Sequence, residues 1–216
     1  MVLHLVFGCP LSLRALMVSK AAGLSSQIDY QLYFDATEME ANKRVSGMNG
    51  GGQKGPVLET TQGGVYGINS IAKLLVNSPT GKEVGLIGQN LWENSEIEGW
   101  LAFLRGLVED LRKIKQNFWA FQEKKFVCQK NFIGLWTKLA AIDKHLEGKS
   151  YFMGERVTLL DITLATMLWG PRGLPMVGQE NMQTKFKNIN KFYKKVVGSE
   201  LFTSSLGETT KLWAKK

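Results

Sequence analysis

The chain has 216 residues, 44% of them hydrophobic, and a formal net charge of +8. That length holds one large domain or two smaller ones around sizeable cores, and no apolar run approaches the ~18 residues expected of a membrane span. Two cysteines far apart, Cys9 and Cys128, with only His4 and His145 besides, supply neither a disulfide framework nor zinc spacing, so no metal site is expected and a reducing, cytoplasmic setting is.

The opening MVLHLVFGCP lacks a basic flank and its apolar run is short, so it reads as a buried strand and not as a signal peptide. That strand, HLVFG, ends at Gly8, Cys9 and Pro10. Leu13, Leu16, Met17 and Ala21 then follow at helical spacing, closed by Gly23 in the C′ manner. Ile28, Tyr30, Leu32 and Phe34 alternate, which predicts a half-buried strand over 28–34. A weak helix is expected in ATEMEANKRV, 36–45, and a flexible loop in SGMNGGGQKG, 46–55, because so many glycines forfeit chain entropy in any regular element. GPVLETTQGGVYGI divides into a strand PVLET, a turn TQGG and a strand VYGI, with Gly63 and Gly64 supplying positive φ. Pro56 opens the first of these strands, where a missing N–H is tolerated. NSIAKLLVN then predicts a helix with Ile71, Leu74 and Leu75 on one face.

From residues 77–86 the pattern changes. Helical periodicity runs over 89–113, 117–147, 158–169, 183–198 and 199–212, with no strand among them. The fold class expected is therefore α/β followed by all-α: a βαβ–ββα unit over 1–78 and an all-helical domain over 88–216. Within the second half, GERVTLLDITLATML places Thr158 and Asp161 three apart before a run that is apolar on nearly every side. That is a capping box, with Val157 and Ile162 as a hydrophobic staple, and its loss is expected to cost roughly 1 kcal/mol, more where burial leaves donors unpaired. Asp161 reads as structural, and the six tryptophans, Trp92, Trp100, Trp119, Trp136, Trp169 and Trp213, as packing anchors.

The βαβ–ββα order, the proline before the third strand and the block YFMGERVTLLDITLATML together resemble the glutathione transferase superfamily over essentially the whole chain. The resemblance implies a thioredoxin-like N-terminal domain, an all-helical C-terminal domain, and a cis bond before Pro56. Within the superfamily, GERVTLLDIT and the tail with Asn190, Phe192, Phe202 and LGE, 206–208, are most similar to the N-terminal domain of the gamma subunit of translation elongation factor 1.

A transferase of this family places a Ser, Cys or Tyr at the end of its first strand. Here the strand exit is GCPLSLR, so Cys9 and Ser12 are the candidates, and CP with Ser12 and Arg14 resembles the cysteine-type enzymes. A lone cysteine is more usually a small apolar residue, and Cys9 reads first as one that ends a buried strand. The family's E-S-x-A-I, which binds the γ-glutamyl carboxylate, aligns Gly67 with its Glu and Ile68 with its Ser when Ile71 takes the buried Ile position. Sliding the register to restore Ser70 would bury Lys73, which costs more. What remains for glutathione is Gly55, Pro56 and Asn69, the last as a helix cap, and so weak binding with little or no transferase activity.

The resemblance implies a scaffold subunit of the elongation factor 1 complex that anchors the nucleotide-exchange subunit. The alternatives are an active cysteine- or serine-type glutathione transferase and a GST-like association domain of an aminoacyl-tRNA synthetase complex. A homodimer is compatible with the fold, and no membrane partner is expected. Lysines gather at 113–130, 185–195 and 211–216, either as a solvated face or toward an acidic partner, RNA or protein. No RNA-binding motif is present, so direct nucleic-acid binding is not indicated.

Overall fold

The computed structural model describes residues 1–48, 55–119, 125–169 and 184–214, with the side chains at 112, 114–119, 125–132 and 213 excepted. The glycine run at 49–54 and the side chains of Cys128, Trp119 and Trp213 thus lie outside the described residues. The chain divides into two compact units, Met1–Ile87 with Val196–Lys216, and Gly88–Lys195. Against the expected boundaries 1–78 and 88–216, the last helix groups with the first unit.

The first unit is built on a four-stranded sheet in the order β2-β1-β3-β4, from β1 (Val2–Val6), β2 (Asp29–Tyr33), β3 (Val57–Thr60) and β4 (Gly63–Tyr66). β1 runs parallel to β2 and antiparallel to β3, and β3 pairs antiparallel with β4, as the thioredoxin-like expectation requires. Leu3, His4 and Leu5 are all buried, so β1 is covered on both faces. α1 (Pro10–Ala21) and α4 (Ile68–Val76) pack together on one side. The other side carries α2 (Ala36–Ala41) and α3 (Lys43–Met48), whose Met39 and Val45 close a small core with Tyr33 and Val57. The weak helix expected at 36–45 is thus two short ones, the first capped by Asp35, whose carboxylate accepts from the N–H of Glu38 at 2.9 Å.

Four local expectations are corrected. At the end of β2 Leu32 and Tyr33 are both buried, Tyr33 against Met39 and Val45 of α2 and α3, while Phe34 beyond the strand is 59% exposed. In the hairpin, Thr60 pairs with Gly63 across the two-residue turn Thr61–Gln62, and only Gly63 has positive φ, at 130°. Gly64 serves a different purpose: a Cβ there would lie 2.3 Å from Met48 Cβ, so its bareness lets α3 seat against the strand. In α4 the buried face is Ile71, Ala72, Leu75 and Val76, and Leu74 is 45% exposed. The peptide bond before Pro56 is trans, where the resemblance implies cis.

After α5 (Pro79–Val84), capped by the Ser78 hydroxyl, the second unit contains α6 (Leu91–Trp119), α7 (Lys125–His145), α8 (Leu159–Leu168) and most of α9 (Lys187–Val197). α6 packs on α7 and on α8. Every residue of α8 is buried. Trp100 anchors this unit, edge-on to Phe152 at 5.3 Å and against His145 at 4.4 Å, and Trp136 packs on Phe186 at 5.3 Å. Trp92 is the exception to the packing expectation, 79% exposed at the start of α6. The final helix, α10 (Glu200–Ala214), packs on α1 and β2 of the first unit, where the Lys20 ammonium donates to the Ser204 carbonyl at 3.1 Å. Among the described residues no helix is long and apolar enough to cross a membrane.

Candidate functional site

The chain leaves β1 through Phe7 and Gly8 and enters α1 at Cys9, the N-cap residue, with Pro10 in the first turn. Proline suits that position because its missing N–H is one the helix start leaves unpaired anyway. Cys9 is half-buried, and its side chain makes no capping hydrogen bond. Ser12 is only 1% exposed, and its Oγ accepts the N–H of Val6 at 2.9 Å. The serine thus ties helix α1 to the end of β1. Arg14, one turn along, is buried, which pulls its guanidinium down to about 10, opposed by attraction to Cys9.

A cavity of about 390 Å³ opens beside these residues, lined by Leu11, Gly55, Pro56, Tyr66, Gly67, Ile68, Asn69 and Ser70. It brings together Gly55, Pro56 and Asn69, the three residues expected to remain for glutathione. Neither Cys9 nor Ser12 lines it. Its floor is the start of α4. The first intrahelical bond there is Ile71 N–H to Gly67 O at 3.1 Å, so the N–H groups of Ile68, Asn69 and Ser70 have no partner within the helix. Aligned N–H groups and the helix dipole favour an anion at such a terminus.

The register argument agrees with the burial. Ile71 is fully buried and Lys73 is exposed, and Gly67 and Ile68 open the helix. Asn69, however, does not cap the helix. The cap position falls on Gly67, with φ 80°, and Asn69 and Ser70 are the second and third helical residues. Residues preceding a helix take the cap only in extended geometry, and here the β4 turn delivers the chain at a conformation suited to glycine. Ser70 takes the family serine's place only in a register that buries Lys73, and Lys73 is exposed. The exposed hydroxyl of Ser70 nonetheless reaches the same cavity, as do Leu11 and Tyr66.

A second polar constellation was not anticipated. His4 on β1 lies with Nδ1 3.1 Å from the Tyr33 hydroxyl and Nε2 3.2 Å from Glu59 Oε2. Asn42 Nδ2 donates to the same tyrosine oxygen at 3.1 Å, and Arg44 pairs with Glu59 Oε1. Desolvation raises the Glu59 carboxyl, but hydrogen bonds from His4 and Arg44 outweigh it and hold the group below its ordinary value. Burial pushes the Tyr33 phenol up. His4 and Tyr33 are buried and Arg44 is exposed, so the network ties β1, β2, β3 and the α2–α3 segment together from the core out to the surface. The only signal available was a histidine in an apolar strand.

In the second unit, Asp161 is 0% exposed. Its Oδ1 accepts the N–H of Phe152 at 2.8 Å, and its Oδ2 accepts the N–H and hydroxyl of Thr158 at 2.7 and 2.8 Å. The carboxylate thus carries the box that Thr158 and Asp161 form and also fixes the preceding loop. Burial pushes this carboxyl up, against hydrogen bonds from Phe152, Thr158 and its own backbone N–H that favour the charged form.

Residues 114–200 match the family described as glutathione S-transferase, C-terminal domain. Elongation factor 1-gamma 1 of Oryza sativa subsp. japonica is 26% identical over 216 residues, 96% of this chain and 49% of that protein. Probable elongation factor 1-gamma 1 of Arabidopsis thaliana is 28% identical over 212 residues, again 96% and 49%. The chain therefore spans about half the length of the curated relatives it matches. A glutathione S-transferase from Methylobacillus flagellatus, solved with GSH bound, superposes with a TM-score of 0.73 at 18% identity, covering 94% of this chain and 98% of that one. The glutathione S-transferase from Xylella fastidiosa gives 0.71 at 18%, covering 97% and 98%. The chain has the glutathione transferase fold, with a thioredoxin-like N-terminal part and a helical GST C-terminal domain, and it is similar to elongation factor 1-gamma over most of its length.

Proposed function

We propose that this chain acts as an elongation factor 1-gamma-like assembly subunit in the cytoplasm, anchoring the nucleotide-exchange subunit of the elongation factor 1 complex. The observation that carries the reading is the similarity to two elongation factor 1-gamma proteins across 96% of the chain. The candidate site supports it. The α4 start presents Gly67 and Ile68 where a glutathione enzyme needs an acid and a hydroxyl, and Ser12 is enclosed and committed to the Val6 N–H. Fold alone does not decide between scaffold and enzyme, so the weight rests on these side chains.

Glutathione binding at the cavity is the second reading, favoured by the free N–H groups of α4 and the Ser70 hydroxyl beside Gly55 and Pro56. Such a site takes a carboxylate weakly and activates no thiol. Two measurements separate the readings. Co-expression of this chain with a nucleotide-exchange subunit, followed by gel filtration, is expected to give a stable complex. Calorimetric titration with glutathione, on wild type and Cys9→Ser, is expected to give a dissociation constant no tighter than millimolar and the same in both. Micromolar binding that depends on Cys9, with turnover of an electrophilic aryl substrate, would replace the assembly reading with a cysteine-type transferase. No complex with the exchange subunit, but one with an aminoacyl-tRNA synthetase, would move the chain to the association-domain reading.

A further inference from the structure

From 181 to 199 the sequence holds five lysines and no acidic residue. Helix α9 sorts them. Phe186, Ile189, Phe192 and Val196 are buried, while Lys187, Lys191, Lys194 and Lys195 are exposed on the opposite side, at spacings i, i+4, i+7 and i+8. Successive turns of that face are about 5–6 Å apart along the axis. The helix is firmly seated. Asp143 Oδ1 accepts the N–H of Ile189 at 2.9 Å, its Oδ2 accepts from the Asn188 amide at 3.1 Å, and Lys195 lies 4.4 Å from the centre of the Tyr151 ring. Among the described residues no ion pair engages Lys187, Lys191 or Lys194. Lys185 is set apart from them, over Trp136 and in the same hollow as Glu147.

We propose that the lysine face of α9, formed by Lys187, Lys191, Lys194 and Lys195, docks on the phosphate backbone of RNA. Phosphates recur every few ångströms along each strand of a duplex, so lysines one turn apart reach neighbouring or alternate phosphates. An acidic protein partner fits less well. Protein interfaces are depleted in lysine and depend on aromatic or apolar anchors, and among the described residues no large exposed hydrophobic side chain falls between 184 and 199. A membrane surface fits less well again, because an interfacial helix inserts its apolar face, and here that face is buried in the protein. The net charge of +8 adds long-range attraction for a polyanion. This surface lies apart from the cavity and requires no base-reading motif, since phosphate contacts position without reading sequence.

The test is fluorescence anisotropy with a labelled RNA duplex, in potassium chloride from about 50 to 200 mM. It compares wild type, Lys187→Gln/Lys191→Gln/Lys194→Gln, and a control of equal charge, Lys43→Gln/Lys82→Gln/Lys113→Gln. Circular dichroism melts confirm that both variants fold. The α9 variant is expected to lose at least about tenfold in affinity at the lowest salt and about 2 to 3 from the slope of log K against log salt, with the control close to wild type. Equal weakening of both variants, the absence of salt-dependent RNA binding by wild type, or tighter binding of poly-glutamate than of RNA would overturn the proposal.

Discussion

Replacing Asp161 by alanine is expected to be the most damaging polar substitution in the second unit. The carboxylate is fully buried and takes three donors, two of them backbone N–H groups, of Phe152 and Thr158. Alanine leaves both N–H groups without a partner and without water, at about 1–3 kcal/mol each. The lost cap of α8 is part of that figure and not additional to it, because the Thr158 N–H is itself one arm of the box. Removing the carboxylate also removes the cost of burying it, the same cost that pushes its proton affinity up. The net expectation is a loss of about 3 kcal/mol, which for a chain of this size lowers Tm by about 6–12 °C. Asp161→Asn keeps one acceptor and should lose about half as much. Urea unfolding at neutral pH, followed by far-UV circular dichroism, gives the free energies, and hydrogen exchange of the α8 amides localises them. A loss under about 1 kcal/mol for the alanine variant would refute the reasoning, because that is the size of an exposed helix cap and not of an enclosed one.

The His4–Glu59–Arg44 network gives a pH dependence. Since the Glu59 carboxyl is held below its ordinary 4.5, its contribution to stability is complete above pH 4.5 and is lost as pH falls through the depressed value. The Tm difference between wild type and Glu59→Gln should therefore be largest near neutrality and shrink below pH 4.5. Gly64→Ala places a methyl 2.3 Å from Met48 Cβ and should destabilise by about 1–3 kcal/mol in a thermal melt. Burial, with Lys149 adding to it, holds the His145 imidazole below 6.5 against its hydrogen bond to the Phe152 carbonyl. An NMR titration should find its midpoint below 6.5 and moving upward in Lys149→Gln.

What could be read from the sequence is what depends on neighbours in the chain. Strand β1, helix α1 with Gly23 behind it, the two-stranded hairpin and the long helices all follow from periodicity and turn chemistry, and Thr158 and Asp161 met because three residues separate them. What could not be read depends on packing from elsewhere. Alternation placed Phe34 inside and Tyr33 outside, yet Tyr33 is buried because α2 and α3 cover its side of the sheet. Gly64 looked like a turn residue until Met48 came to rest on it. The candidate cavity was half legible. Gly55, Pro56 and the α4 start were expected there, but Asn69 was assigned a cap that the backbone at Gly67 gives to glycine, and Ser70 was set aside by alignment when only position matters.

The return of α10 to the first unit has a consequence for how the protein comes off the ribosome. β1 and α1 are made first, but the helix that packs on α1 and β2 is made after the whole of Gly88–Lys195. Phe202 of α10 is buried and this helix packs on α1 and β2, so until it emerges those elements lack that cover. Closing so long a loop adds little free energy, since each doubling of length adds only about 0.6 kcal/mol, but the contact forms late and between distant residues. The nascent N-terminal unit should therefore bind a hydrophobic-patch chaperone throughout synthesis of the helical part and release it only with the last helix. A chain stalled before residue 200 is the species on which that hand-over is visible.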